Sequence, residues 1–286
     1  MQVELIKART VDGVRLDGAL SATDQPSQVC VDAVIAVHGV GSNFYGSGLF
    51  ERLTTPLLSL GVDVLRVNTR GHDGHYAGHT PGGSRPLGAA YEIVDECRWD
   101  IAAWVEVLRK RGAQSIGLIG HSLGAIKSLY AQAHEPSDAV RLVAAFSPPR
   151  LSYRVFSQSA KRDEFLATIG AAQQRIEEGR GGELISATFP FPLLIAASAY
   201  IDKYGDQERY NIMRFIHKLP CPVLATYGAL ELQRGSSAFD GLPEAIAELD
   251  SPQSIEVACI DDADHLYSGV HDQLAACLVA WLRRRA

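Results

Sequence analysis

Six short runs, apolar on both faces of a pleated strand, recur along the chain. They are "DAVIAVHG" (Asp32–Gly39), "VDVLRVNTRG" (Val62–Gly71), "SIGLIG" (Ser115–Gly120), "RLVAAFSPP" (Arg141–Pro149), "CPVLATYG" (Cys221–Gly228) and "SIEVACID" (Ser254–Asp261). A strand of this kind needs a covering layer on each side, which is the environment of a parallel sheet flanked by helices. Helical periodicity fills the gaps. "YEIVDECRWDIAAWVEVLRKRG" puts Ile93, Cys97, Ile101, Val105 and Leu108 on one face and ends in cations and Gly112, a C-terminal signal. "GVHDQLAACLVAWLRRR" does the same with Val270, Leu274, Leu278, Trp281 and Leu282. Ahead of these, "QVELIKA" and "VRLDGALSA" alternate around "RTVDG", whose Asp-Gly marks a turn. The expected fold is α/β: a mostly parallel sheet with helices on both faces, right-handed crossovers and an N-terminal β-hairpin.

One stretch breaks the alternation. Between residues 150 and 218 no strand signal appears, and "KRDEFLATIGAAQQRIEE", "PLLIAASAYIDKYG" and "QERYNIMRFIHK" read as helices. The expectation is a core of residues 1–149 and 219–286, with residues 150–218 inserted between two late strands as a helical cap. Such a cap belongs over the C-terminal sheet edge, where loops form the ligand crevice.

Composition excludes several classes. A chain of 286 residues, 47% hydrophobic, can bury a large core and is not a disordered composition. A net charge of −6 argues against a phosphate-binding surface, so no nucleic-acid partner is expected. "MQVELIKART" lacks the apolar core of a secretory signal, and no apolar run approaches the ~20 residues of a membrane span. The five cysteines, Cys30, Cys97, Cys221, Cys259 and Cys277, are scattered and form no C-x-x-C. Neither a disulfide framework nor a zinc site is expected, and a cytoplasmic setting fits.

The chemistry gathers at strand ends. "IGLIGHSLGAIKSLYAQ" holds G-H-S-L-G at Gly120–Gly124, between a buried strand and a helix. That is the context of a nucleophile elbow: a turn too tight for side chains at Gly120 and Gly124, with Ser122 strained and its hydroxyl raised above the sheet. "AVHGVGSNFYGSG" (Ala36–Gly48) is a loop able to aim the Val40 amide at a carbonyl oxygen, with the Leu123 amide as second donor. His38, at the strand end, reads as structural. In "IDDADHLYSG", His265 follows the last strand and can reach a serine hydroxyl as base. Glu231, three residues past Gly228, can accept the other imidazole N–H, with Asp240 the next candidate. Asp261, Asp262 and Asp264 are too close in sequence to His265 to span that gap.

The order Ser122, Glu231, His265, with the His-Gly loop upstream, resembles the α/β-hydrolase superfamily over nearly the whole chain. "VNTRGHDGH" looks like a loop of that superfamily, and "GHSLGAIK", "YIDKYG" and "ADHLY" are similar to an uncharacterised hydrolase family distantly related to fungal siderophore esterases. Most members carry Asp as the acid; Glu at this position is a departure. The resemblance implies a cofactor-independent serine esterase acting on a small, largely apolar ester. The same triad could cleave a thioester, lactone, amide or carbon–carbon bond, and a silent hydrolase fold could merely bind a ligand.

Three further expectations follow. "RGHDGHYAGHT", with His72, Asp73, His75 and His79, reads as a glycine-rich polar rim rather than a metal site. Lys127, about one turn past Ser122, should face solvent or a helix neighbour. Phe44, Tyr45, Phe189, Phe191, Tyr200 and Tyr204 are candidates for an apolar pocket. The sequence leaves the oligomeric state open.

Overall fold

The computed structural model describes residues 2–285. Two antiparallel strands, β1 (Glu4–Arg9) and β2 (Arg15–Ser21), open the chain as a hairpin. β3 (Ala33–Val37), α1 (Gly48–Leu58) and β4 (Asp63–Val67) follow. A short ribbon, β5 (Tyr76–Thr80) and β6 (Gly83–Leu87), precedes α2 (Cys97–Lys110). Next come β7 (Ile116–His121), α3 (Leu123–His134) and β8 (Val140–Phe146). After an insertion the chain returns as β11 (Val223–Gly228), α7 (Ala229–Gln233), α8 (Leu242–Ala247), β12 (Ile255–Ile260) and α9 (His271–Arg283). The main sheet runs β1-β2-β4-β3-β7-β8-β11-β12, and every pair from β4 to β12 is parallel.

The inner two-faced strands have the burial that their composition requires, whereas β12, at the sheet edge, is mostly half-buried. Ala33, Ile35 and Val37 of β3 pack into one core with Trp104 of α2 and Leu129 of α3. Val34 and Ala36 pack into the opposite core with Leu53 of α1 and Trp281 of α9. Each large aliphatic side chain buried this way contributes about 1.5–3 kcal/mol. All six strand ends therefore point their following loops to one edge.

Residues 150–218 differ from the expected all-helical insertion. α4 (Tyr153–Phe156) and α5 (Arg162–Glu177) lead into a ribbon of β9 (Leu184–Ala187) and β10 (Leu193–Ala196), then α6 (Ala197–Tyr204). "LLIA" is too short for its period to be read, and an apolar run of that length fits a strand or a buried helix equally. "QERYNIMRFIHK" forms two 3₁₀ turns, Ile212–Arg214 and Ile216–Lys218, rather than a helix. Likewise β5 and β6 make a ribbon of the stretch read as loop. Among the described residues no helix is long and apolar enough to cross a membrane.

Candidate active site

Ser122 sits between β7 and α3 with φ +55° and ψ −123°, a conformation that costs a non-glycine residue on the order of 1–3 kcal/mol. Its neighbours explain why it is tolerated. A Cβ on Gly120 would lie 2.2 Å from the Gly124 carbonyl oxygen, and one on Gly124 would lie 2.1 Å from that of Val37. The Ser122 N–H donates to the Phe146 carbonyl at 2.8 Å, tying the turn to the end of β8.

His265 arrives on the loop after β12. Asp264 Oδ1 accepts from the Leu266 and Ser268 N–H groups at 2.9 Å each, which folds the loop around the histidine. From the elbow, His121 Nε2–H donates to the His265 carbonyl at 2.7 Å. Burial, and then the neighbouring His265, hold the His121 pKa down to about 4, so it is neutral at pH 7 and serves as a fixed strut.

The three side chains meet. Ser122 Oγ lies 2.9 Å from His265 Nε2, and His265 Nδ1 donates to Glu231 Oε1. Glu231, on α7, is buried; its Oε2 accepts from Ser147 Oγ at 2.7 Å and from the Gly228 N–H at 3.3 Å. The arm of Glu, one methylene longer than Asp, is accommodated because α7 begins directly at the end of β11 and turns the side chain back over it. Asp240 is exposed and makes no side-chain bond to His265; its carbonyl accepts from Arg150. Asp261 and Asp262 are also exposed. The backbone N–H groups of Val40 and Leu123 find no acceptor among the described residues, and both residues line a cavity containing Ser122.

Two cavities flank the serine. One, of about 180 Å³, is walled by Leu151, Phe156, Phe191, Tyr204 and Phe239. The other, of about 370 Å³, runs along Gly46–Leu49, Leu266, Ser268 and His271. Of the six aromatics expected at a pocket, Phe191 and Tyr204 reach the first cavity. Phe189 packs against Phe156 and Phe165, Tyr200 is buried with its hydroxyl on the Phe189 carbonyl, and Phe44 and Tyr45 pair with each other. Phe156 and Phe239 escape a reading by composition, because single aromatics flanking a loop carry no pattern. His121, Ser147 and Tyr267 do as well; only the adjacency of His121 to Ser122 hints at it.

His38 is structural: Nδ1–H donates to the Gly39 carbonyl at 2.7 Å and Nε2 accepts from the Thr69 N–H at 3.1 Å. Burial, then Lys127, depress its pKa to about 3. Lys127 does not face solvent. It is fully buried, 2.5 Å from Glu92 and 2.9 Å from Thr69 Oγ1, because α3 is covered all round and its only escape from an uncompensated charge is a buried carboxylate. Ahead of the ribbon, His72 bonds Asp73 at 2.9 Å and stacks on Tyr76, whereas His75 and, in β5, His79 are exposed. All five cysteines are free thiols.

Residues 34–277 match the sequence model of the alpha/beta hydrolase family. No curated protein matches the chain. Among solved structures, DcsB in complex with its substrate analogue is similar at 17% identity, over 99% of each chain, with a TM-score of 0.71. GrgF, an alpha/beta hydrolase from Penicillium sp. sh18, is 14% identical over 100% of this chain and 99% of its own, with a TM-score of 0.70. Est1E from Butyrivibrio proteoclasticus, solved with ferulic acid bound, is 15% identical over 98% of both chains, with a TM-score of 0.68. At such identities the likeness speaks to the fold.

Proposed function

Because the chain belongs to the alpha/beta hydrolase family, we propose that it is a serine hydrolase cleaving a small, largely apolar carboxylic ester through an acyl-enzyme. The observation that carries this reading is the unbroken line from Ser122 Oγ through His265 to the buried Glu231. Ser122 Oγ attacks the acyl carbon while its proton passes to His265 Nε2. Glu231 fixes the imidazole tautomer and stabilises the imidazolium. The carbonyl oxygen, now an oxyanion, takes hydrogen bonds from the Val40 and Leu123 amides, each worth about 3 kcal/mol. As the tetrahedral intermediate collapses, His265 returns the proton to the departing alkoxide. Water, deprotonated by His265, then attacks the acyl-serine, and His265 returns that proton to Ser122 Oγ as the acid leaves.

Residues 150–218 act as a cap on the core formed by residues 1–149 and 219–286. Support comes from Phe156, Pro190, Phe191 and Tyr204, which line the apolar cavity beside Ser122. That cavity takes the acyl group, and the wider one beside His271 takes the alcohol. A panel of acyl esters and thioesters of graded chain length tests the reading. Turnover should be highest for short acyl groups, and Phe191→Ala should move the optimum to longer ones. Ser122→Ala should lower kcat by several orders of magnitude. A Ser122→Ala variant keeping more than about a tenth of wild-type kcat would rule the nucleophile out.

A further inference from the structure

We infer that Ser147, backed by Tyr267 and Thr226, is a positioning residue that holds the Glu231 carboxylate in register with His265. The inference rests on Glu231 being the triad acid. A glutamate at this position has one more rotatable bond than an aspartate, and rotation about it would swing the carboxylate away from the imidazole. Its Oε1 is engaged by His265, so control of the remaining freedom falls on Oε2. Ser147 Oγ meets that oxygen at 2.7 Å, closer than the Gly228 N–H at 3.3 Å.

The direction of the Ser147 hydroxyl is set by the carboxylate, which has no hydrogen to give. Ser147 has one hydroxyl hydrogen, and it goes to Glu231. The Ser147 oxygen also lies 3.0 Å from the Tyr267 oxygen, which packs against it and fixes its position. The Tyr267 hydroxyl lies 2.8 Å from Thr226 Oγ1 and donates to the Thr226 carbonyl at 3.1 Å. Three hydroxyls thus sit directly behind the negative charge, each within hydrogen-bonding distance of the next. Thr226, Ser147 and Tyr267 are all fully buried, and Ser147 lines neither cavity beside Ser122. It acts through Glu231 and not on substrate.

Backbone geometry gives independent support. Ser147 has φ +46° and Tyr267 has φ +55°, positions that L-residues avoid and that are genuine outliers for a bulky tyrosine. Ser147 is held there by its own N–H, which donates to the Thr226 carbonyl at 2.8 Å. Glycine would satisfy that backbone at no steric cost. Two strained non-glycine residues adjoining in one hydroxyl chain mark a place where the side chain, not the turn, is required.

The same fact supplies the experiment. Ser147→Gly relaxes the backbone and removes the hydroxymethyl group, and with it the hydrogen bond to Glu231 Oε2. With a good ester substrate, kcat should fall roughly tenfold or more while KM changes less than about twofold. Placed in a Glu231→Gln background, the same substitution should change the residual kcat by less than about twofold, because there is no longer a carboxylate to hold. Tyr267→Phe should show a smaller kcat loss that also vanishes in that background, and it carries the same test should Ser147→Gly fail to fold. Wild-type kcat in Ser147→Gly, or an equal loss with and without Glu231, overturns the inference. A Glu231→Gln enzyme of normal activity would instead overturn the assignment of the acid.

Discussion

Two buried glutamates sit in this molecule under opposite arrangements. Glu92 is 2.5 Å from Lys127 of α3 and 3.5 Å from Lys203 of α6, all three side chains being almost wholly shielded from water. Burial alone would raise its carboxyl, but the two ammonium groups overturn that and hold the pKa down to about 2. Glu231 is similarly shielded yet pairs with no lysine or arginine among the described residues; its partners are a serine hydroxyl, an amide and one imidazole. Full counter-charge turns Glu92 into a lock that ties α6 of the 150–218 segment to the helix behind Ser122. In the proposed mechanism, withholding it leaves the negative charge of Glu231 available to His265, the group that gains a proton. A carboxylate is structural or chemical according to how completely its charge is spent.

Exchanging the charge at each site should break different things. Glu231→Gln should lower kcat on the order of 10⁴-fold, by analogy with the loss of the acid in serine proteases, while the unfolding curve barely moves. Glu92→Gln should do the reverse. It leaves two buried ammonium groups unopposed and should cost about 3–5 kcal/mol in urea unfolding, with little direct effect on the triad. Were the stability loss the larger one at Glu231, the contrast would be reversed.

Acid should sharpen the same comparison. His121 and His38 are held neutral by burial, with pKa values near 4 and 3. Their unfolded forms take up protons from about pH 6.5 downward while the folded forms do not. Stability should therefore be full above that pH and fall between about 6.5 and 4, by about 2 kcal/mol or more. The Glu92 contribution, present above about 4.5, is lost only as pH falls toward 2. Melting temperatures across pH 3–8 should thus begin to drop before the carboxylates titrate; a flat curve down to pH 4.5 would contradict this. Lys203→Met, which removes the surplus cation and keeps the Lys127 pair, should cost less than about 1.5 kcal/mol, far less than Glu92→Gln. Asp240→Asn should change kcat by less than about twofold, since Asp240 is exposed and away from His265.

How far the sequence could be read follows from the range of the forces involved. The parallel sheet was legible because burial on two faces forces a local composition, as in Ala33–Val37. The elbow was legible because steric exclusion at Gly120 and Gly124 leaves glycine as the only choice. The geometry also brings together Ser122, His265 and Glu231, each marked by its place at a strand end. That Lys127 is buried and not solvent-facing could not be read, because its partner Glu92 is far away in the chain and nothing local announces a buried ion pair. The ribbon Leu184–Ala196 was misread because four-residue strands carry too little period. Ser147 and Tyr267 could not be found, since an isolated serine and tyrosine carry no signal until the fold places them behind Glu231.

The central claim is that Ser122 is activated through His265 by the unspent charge of Glu231, and the rate of phosphonylation by a fluorophosphonate probe tests it most directly. Wild-type protein should be labelled once, on the peptide containing Ser122. Glu231→Gln should label the same serine more slowly by about three orders of magnitude or more, and Asp240→Asn at the wild-type rate. Labelling of Glu231→Gln as fast as wild type, or of a residue other than Ser122, would contradict the account.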